Sequence, residues 1–169
     1  MQAGINSNTS IYVTDNSPVN EARYRARFYF NPNSITMANG NAHYVLYGLT
    51  GSGVVTFRIE FGRTSSSYRI RAALSNNSTT FTTTSWFNIS NAVHYLEIDW
   101  RAATAPGSAD GGLTLWIDGT QRANLTGISN DARRIESVRL GAVAGIDTGT
   151  RGTTYFDAFQ SSRQTYIGP

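Results

Sequence analysis

Glu97 and Asp99 sit two residues apart in an alternating stretch, so in an extended chain both carboxylates point to the same side. Paired carboxyls are the minimum equipment for cleaving a glycosidic bond. One must act as nucleophile or base, and a second, roughly 5 Å away in a retaining mechanism, must deliver a proton to the leaving oxygen. No evident further acid completes such a pair here. Glu97 and Asp99 are therefore expected to pair with arginines on neighbouring strands. The arginines fall in stripes, Arg23/Arg25/Arg27, Arg58 and Arg69/Arg71, each expected on the wet side of its strand. They could build ladders with Glu60, Glu97 and Asp99. Alternatively, Arg25 and Arg27 with Tyr29, Tyr95 and Trp116 could form a face for an acidic polysaccharide. Guanidinium meets carboxylate or sulfate in two parallel hydrogen bonds, and aromatic rings stack on sugars.

Other reactive types are sparse. Cysteine is absent, which removes disulfides, metal thiolates and thiol nucleophiles together. His43 and His94 stand outside any G-x-S-x-G or H-E-x-x-H pattern, so no nucleophilic triad or paired-histidine metal site is expected. His94 is expected to be packed or hydrogen-bonded. Trp100 shares a side with Leu96 and Ile98 and belongs in the core. Trp116 lies opposite Leu115 and Ile117, on the outer side, and Trp86 fits rim or core equally. Asp157, with Asp15, Asn16 or Glu21, offers oxygen ligands from separate segments, as a structural calcium would require.

The elements that must position these groups read as strands. His94, Leu96, Ile98 and Trp100 alternate with Tyr95, Glu97, Asp99 and Arg101; Leu113, Leu115 and Ile117 alternate with Thr114, Trp116 and Asp118. Asp118-Gly119 predicts a tight hairpin. Further strands are expected at 22–30, 43–49, 55–61, 68–74, 81–87, 121–125, 137–142 and 153–159. Residues 1–20 are polar and irregular, a linker with a possible first strand at 11–13. The domain proper is expected over 21–169. No stretch of a dozen residues has helical periodicity, and 131–135 allows one helical turn at most. Turn signals every 8 to 15 residues predict an all-β, antiparallel two-sheet jelly-roll β-sandwich.

Composition bounds the function. The chain has 169 residues, is 40% hydrophobic and only 15% charged, and has a net charge of +3 at pH 7. All basic residues are arginine. The longest basic run is Arg133-Arg134, too thin for a nucleic-acid partner. No apolar run approaches 18 residues, so no membrane insertion is expected.

The segments HYLEIDW, GGLTLWIDGT, SVRLGAV and YFDAF resemble strands of the concanavalin A-like lectin/glucanase superfamily, and within it the laminin-G-like bacterial branch. The resemblance implies a jelly roll that binds glycans, proteins or cell-surface partners, carried by a secreted or cell-surface protein. Glucanases of that superfamily use E-x-D-x-x-E, and here the last position is Ala102. Related jelly rolls tie their first and last strands with calcium, which would place Asp157, Asp15 and Glu21 as ligands. The expectation is a non-catalytic carbohydrate-binding module using Trp116, Tyr95, Tyr29, Arg25 and Arg27. A structural or adhesive module that contacts other domains or copies of itself comes second. A glycosidase or polysaccharide lyase comes third.

Overall fold

The computed structural model describes residues 1–169 and contains strands, turns and no helix. In chain order the strands are β1 (Gln2–Ile5), β2 (Ile11–Asp15), β3 (Arg23–Asn31), β4 (Ala42–Leu49), β5 (Val55–Arg63), β6 (Tyr68–Ser75), β7 (Phe81–Thr83), β8 (Phe87–Ile89), β9 (His94–Arg101), β10 (Gly111–Ile117), β11 (Thr120–Ile128), β12 (Ser137–Ala144) and β13 (Gly152–Ser162). They form two antiparallel sheets. One is six-stranded, in the order β1-β13-β3-β9-β10-β11. The other runs β2-β12-β4-β5-β6-β7, with β8 also paired to β6.

The core between the sheets is made by the residues whose alternation predicted it. Tyr24, Ala26, Phe28 and Phe30 of β3 and Leu96, Ile98 and Trp100 of β9 meet Phe57, Ile59 and Phe61 of β5 and Ile70, Ala72 and Leu74 of β6, all fully buried. Phe57 lies 6.3 Å from both Tyr24 and Trp100, and Phe30 meets Phe61 edge-on at 4.8 Å. Gly48 is required by this packing, because a Cβ there would lie 2.2 Å from the Phe57 ring.

The Asp118-Gly119 hairpin forms as expected. Both residues have positive φ, and Ile117 pairs directly with Thr120.

Several boundaries differ from the sequence reading. The first strand expected at 11–13 is present as β2, paired with β12, and an unexpected β1 pairs with β13, so residues 1–20 add one strand to each sheet. β1 buries Ala3 and Ile5 in the core, and Ile11 of β2 packs against it. The expected strand over 81–87 is two strands. Thr84 interrupts it by donating its N–H to the Ala72 carbonyl and accepting the Ala72 N–H on its hydroxyl. Residues 130–133 make a single turn, Arg133 N–H to Asn130 carbonyl, rather than a helical one.

Candidate functional site

The outer face of the six-stranded sheet does bring Tyr29, Tyr95, Trp116, Arg25 and Arg27 together, because β3 and β9 pair with Arg25 opposite Asp99, Arg27 opposite Glu97 and Tyr29 opposite Tyr95. Trp116 lies opposite Glu97 on the next strand. The charged centre of this face, however, is not wet, while Tyr29, Tyr95 and Trp116 are half-buried. Glu97 is 0% exposed and Arg25 8%. Arg23 and Arg25 both donate to Asp99, and Arg25 Nη1 lies 3.5 Å from Glu97 Oε1. Arg27 donates to Gln160 and to the Ala158 carbonyl.

The cover is the segment after β13. The N–H groups of Ile167 and Gly168 donate to the two oxygens of Glu97 at 2.9 and 3.0 Å. The Tyr166 ring packs 5.7 Å from that of Trp116, and Arg163 pairs with Glu21 at 2.8 Å. The expectation that this arginine stripe faces water is therefore corrected. Alternation reports which side chains share a face, whereas a distant segment decides whether water reaches it. Glu97, held by two amides and a guanidinium, is a structural carboxylate.

The three expected calcium ligands do not converge. Asp157 pairs in register with Tyr29 and caps its neighbour Ala158. Asp15 lies near Tyr24, five residues along β3, where its carboxylate accepts from Ser17 and Tyr24. Burial opposes the charge of Asp15, but those hydrogen bonds, with Arg163 nearby, hold its carboxyl below the usual range. Glu21 is taken by Arg163. No group of three or more carboxylate or imidazole side chains is arranged to hold a metal.

The outer face of the seven-stranded sheet is built differently. Here Arg139 of β12, Tyr47 of β4 and Arg58 of β5 stand directly opposite one another across three adjacent strands. Strands are spaced by about 4.8 Å, so this row and its two flanking strands span roughly 19 Å. Tyr12 of β2 extends it, with the Arg139 guanidinium 4.8 Å from its ring centre. The next row is Tyr44, Glu60 and Arg71. Beyond it Trp86 projects between β7 and β8, with the guanidinium groups of Arg69 and Arg71 at 4.3 and 4.4 Å from its ring.

Charge on this face is unbalanced, with four arginines against Glu60. That carboxylate is 2% exposed and is gripped by Arg58 Nε at 2.8 Å and Arg71 Nε at 2.7 Å. Glu60 thus orients two guanidinium groups and neutralises part of their charge. Arg69 and Arg139 have no carboxylate and no hydrogen-bond acceptor within the chain; the Nε of each is buried and unpartnered. Each is supported only by an aromatic ring. Burial, reinforced by Tyr44, pushes the Tyr47 hydroxyl up to about 12, so it stays a protonated donor in the middle of the row. The result is an array of rings and cations in which two guanidinium groups have no acceptor within the chain. No sequence signal marked Arg139, Tyr12, Tyr44 or Tyr47 as a set, because their convergence depends on register across four strands.

The histidines also part ways. His43 points into the core, 5.5 Å from Phe61, with neither ring nitrogen partnered. Burial pushes it down to about 4, against a weaker pull from Asp147. His94 lies at the end of the sandwich, hydrogen-bonded to Ser90 and to Asp118.

No known protein family matches the chain, and no curated protein does. Solved structures do. The cellulose-induced protein Cip1 is 16% identical with a TM-score of 0.65, covering 99% of this chain and 79% of its own. Alginate lyase Aly36B is 14% identical with a TM-score of 0.62, over 98% and 88%; a variant of it is solved in complex with alginate tetrasaccharide. The receptor-binding domain of botulinum neurotoxin mosaic serotype C/D is 10% identical with a TM-score of 0.56, over 86% of this chain. This chain spans about a third of that domain's length, 34%. The fold shared with these structures is the antiparallel two-sheet jelly-roll β-sandwich.

Proposed function

We infer that this chain is a binding module for acidic polysaccharides, and that the ligand lies on the outer face of the seven-stranded sheet. The observation that carries this reading is the pair of unpartnered guanidinium groups, Arg69 and Arg139, each seated on an aromatic ring at one end of the Tyr12–Trp86 array. A polymer of sugar acids presents a carboxylate or sulfate on each residue and an apolar ring face between them. Guanidinium groups take the first and aromatic rings the second. Structures sharing the fold include an alginate-bound lyase, which supports a sugar ligand in general terms.

Glycosidic bond cleavage is not part of this reading. The Glu97–Asp99 pair is committed to Arg23, Arg25 and the C-terminal segment, and position 102 is alanine. A secreted or cell-surface setting suits such a module.

The test is affinity electrophoresis and titration calorimetry with alginate, a sulfated galactan and neutral cello-oligosaccharides at low and high salt. Binding to an anionic polymer that weakens with salt, and that drops in Arg69→Ala and Arg139→Ala, supports the reading. Failure of every anionic polymer at low salt, or unchanged affinity in both variants, would remove it.

A further inference from the structure

Away from the arginine face, Ser90, His94 and Asp118 form one hydrogen-bonded chain. Ser90 lies in the turn from β8 to β9, where the polypeptide crosses from one sheet to the other. His94 opens β9, and Asp118 is the first residue of the β10–β11 hairpin. Ser90 Oγ is 2.9 Å from His94 Nε2, and His94 Nδ1 is 2.6 Å from Asp118 Oδ2. Asp118 is itself fixed. Its other oxygen accepts the Tyr95 N–H at 3.0 Å, and its own N–H donates to the Tyr95 carbonyl at 2.9 Å.

This order of groups assigns the protons. A carboxylate only accepts, so the short contact to Asp118 places the imidazole proton on Nδ1. In the neutral imidazole Nε2 then carries the lone pair that can accept the Ser90 hydroxyl proton. When Nε2 takes that proton, the imidazolium gains two stabilising neighbours, Asp118 and the Ser90 carbonyl, 3.3 Å from Nε2. A hydroxyl, a base and an orienting carboxylate linked in series are what activate a serine nucleophile, and unrelated folds assemble them in different chain orders.

Two further features complete the site. The backbone N–H groups of Ser90, Asn91, Ala92 and Val93 lie in an exposed turn and make no hydrogen bond within the chain, so an oxyanion on this side would find them unoccupied. Ser90 and Asn91 also edge a depression of about 230 Å³, which holds the guanidinium-bearing Arg63 and the hydroxyl-bearing Ser66 and Ser67. Its size and polar lining suit a small acyl group on a hydroxylated alcohol.

We propose that Ser90 is an acyl-accepting nucleophile and that this site hydrolyses short-chain carboxylic esters. Ser90 Oγ bonds to the ester carbonyl carbon while its proton passes to His94 Nε2. The tetrahedral oxyanion accepts the free backbone N–H groups. The bond to the alcohol oxygen breaks, and that oxygen takes the proton from His94. Water then attacks the acyl-serine by the same route, releasing a carboxylic acid and restoring the hydroxyl. Asp118 acts through His94 as a positioning residue. The proposal does not depend on the polysaccharide face.

The test uses the full chain with 4-nitrophenyl acetate and with a fluorophosphonate probe. The chain has neither lysine nor cysteine, so few other groups compete for acylation. The expected result is nitrophenolate release that falls at least about 100-fold in Ser90→Ala, and a phosphonyl adduct mapped by peptide mass to Ser90 and lost in His94→Gln. Asp118→Asn, which can still accept from Tyr95, should lower turnover while the fold, checked by circular dichroism and melting, persists. Equal ester hydrolysis in wild type and Ser90→Ala, or no adduct on Ser90 in the folded wild type, would overturn the proposal. Polysaccharide affinity should not change in any of these variants, which separates this result from the fate of the arginine face.

Discussion

Trp86 occupies the space that a side chain at position 62 would fill: a Cβ on Gly62 would lie 3.1 Å from the Trp86 ring and 3.0 Å from the Asn41 carbonyl. The glycine lets the indole lie flat between Arg69 and Arg71. Gly62→Ala should push the ring outward and separate it from both guanidinium groups. The expected outcome is a red shift in tryptophan emission and a several-fold loss of affinity for anionic polysaccharide. Destabilisation of about 1–3 kcal/mol is expected, because the indole can yield but the Asn41 carbonyl is backbone, held by the Arg63 N–H. Fluorescence and calorimetry on the same samples check it.

Arg69→Ala and Arg139→Ala should each weaken binding by roughly 3- to 10-fold at low salt, the scale of one exposed charge-assisted contact. Neither arginine has a partner to orphan. Both variants should therefore melt close to the wild type, a contrast that a thermal shift assay reads directly.

Glu97 behaves in the opposite way. Glu97→Ala leaves Arg25 buried with one carboxylate fewer and strips acceptors from the Ile167 and Gly168 amides. Removing one member of a buried ion pair costs about 3–5 kcal/mol. Urea denaturation should show a loss of that order, and limited proteolysis should cut the freed segment around Arg163–Tyr166 first.

His43 should make stability depend on pH. Its folded value of about 4 lies below its ordinary 6.5, so the unfolded chain binds the proton more readily. The contribution is fully present above pH 6.5 and is lost as pH falls towards 4, on the order of 3 kcal/mol in all. Denaturant midpoints measured between pH 7 and 4 should decline, and His43→Leu should flatten that decline. Asp15, held below the usual carboxylate range, loses its contribution only at lower pH and lies outside this window.

Much of the fold was legible because alternation is local. The inward residues of β3, β5, β6, β9 and β10 could be named from spacing alone, and Asp118-Gly119 marked its own turn. The outward sides could not be read the same way. Arg25 and Arg69 look alike in sequence, each flanked by apolar alternation. One lies under the C-terminal segment against Asp99, while the other faces outward without an acid. That difference comes from which strands are neighbours and where the last residues fold, both non-local. Ser90 and Asp118 escaped notice for the same reason: they stand 28 positions apart in the numbering and meet only through His94.

The pairing of β1 with β13 joins residues 2–5 to residues 152–155. During biosynthesis β1 must wait, solvated and unmatched, until β13, far along the chain, has left the ribosome. Closing so wide a loop is entropically slow, which puts the six-stranded layer late in assembly. Until then the apolar side of β3 is without a neighbour on one edge, the moment at which this molecule is most exposed to sticking to a sibling.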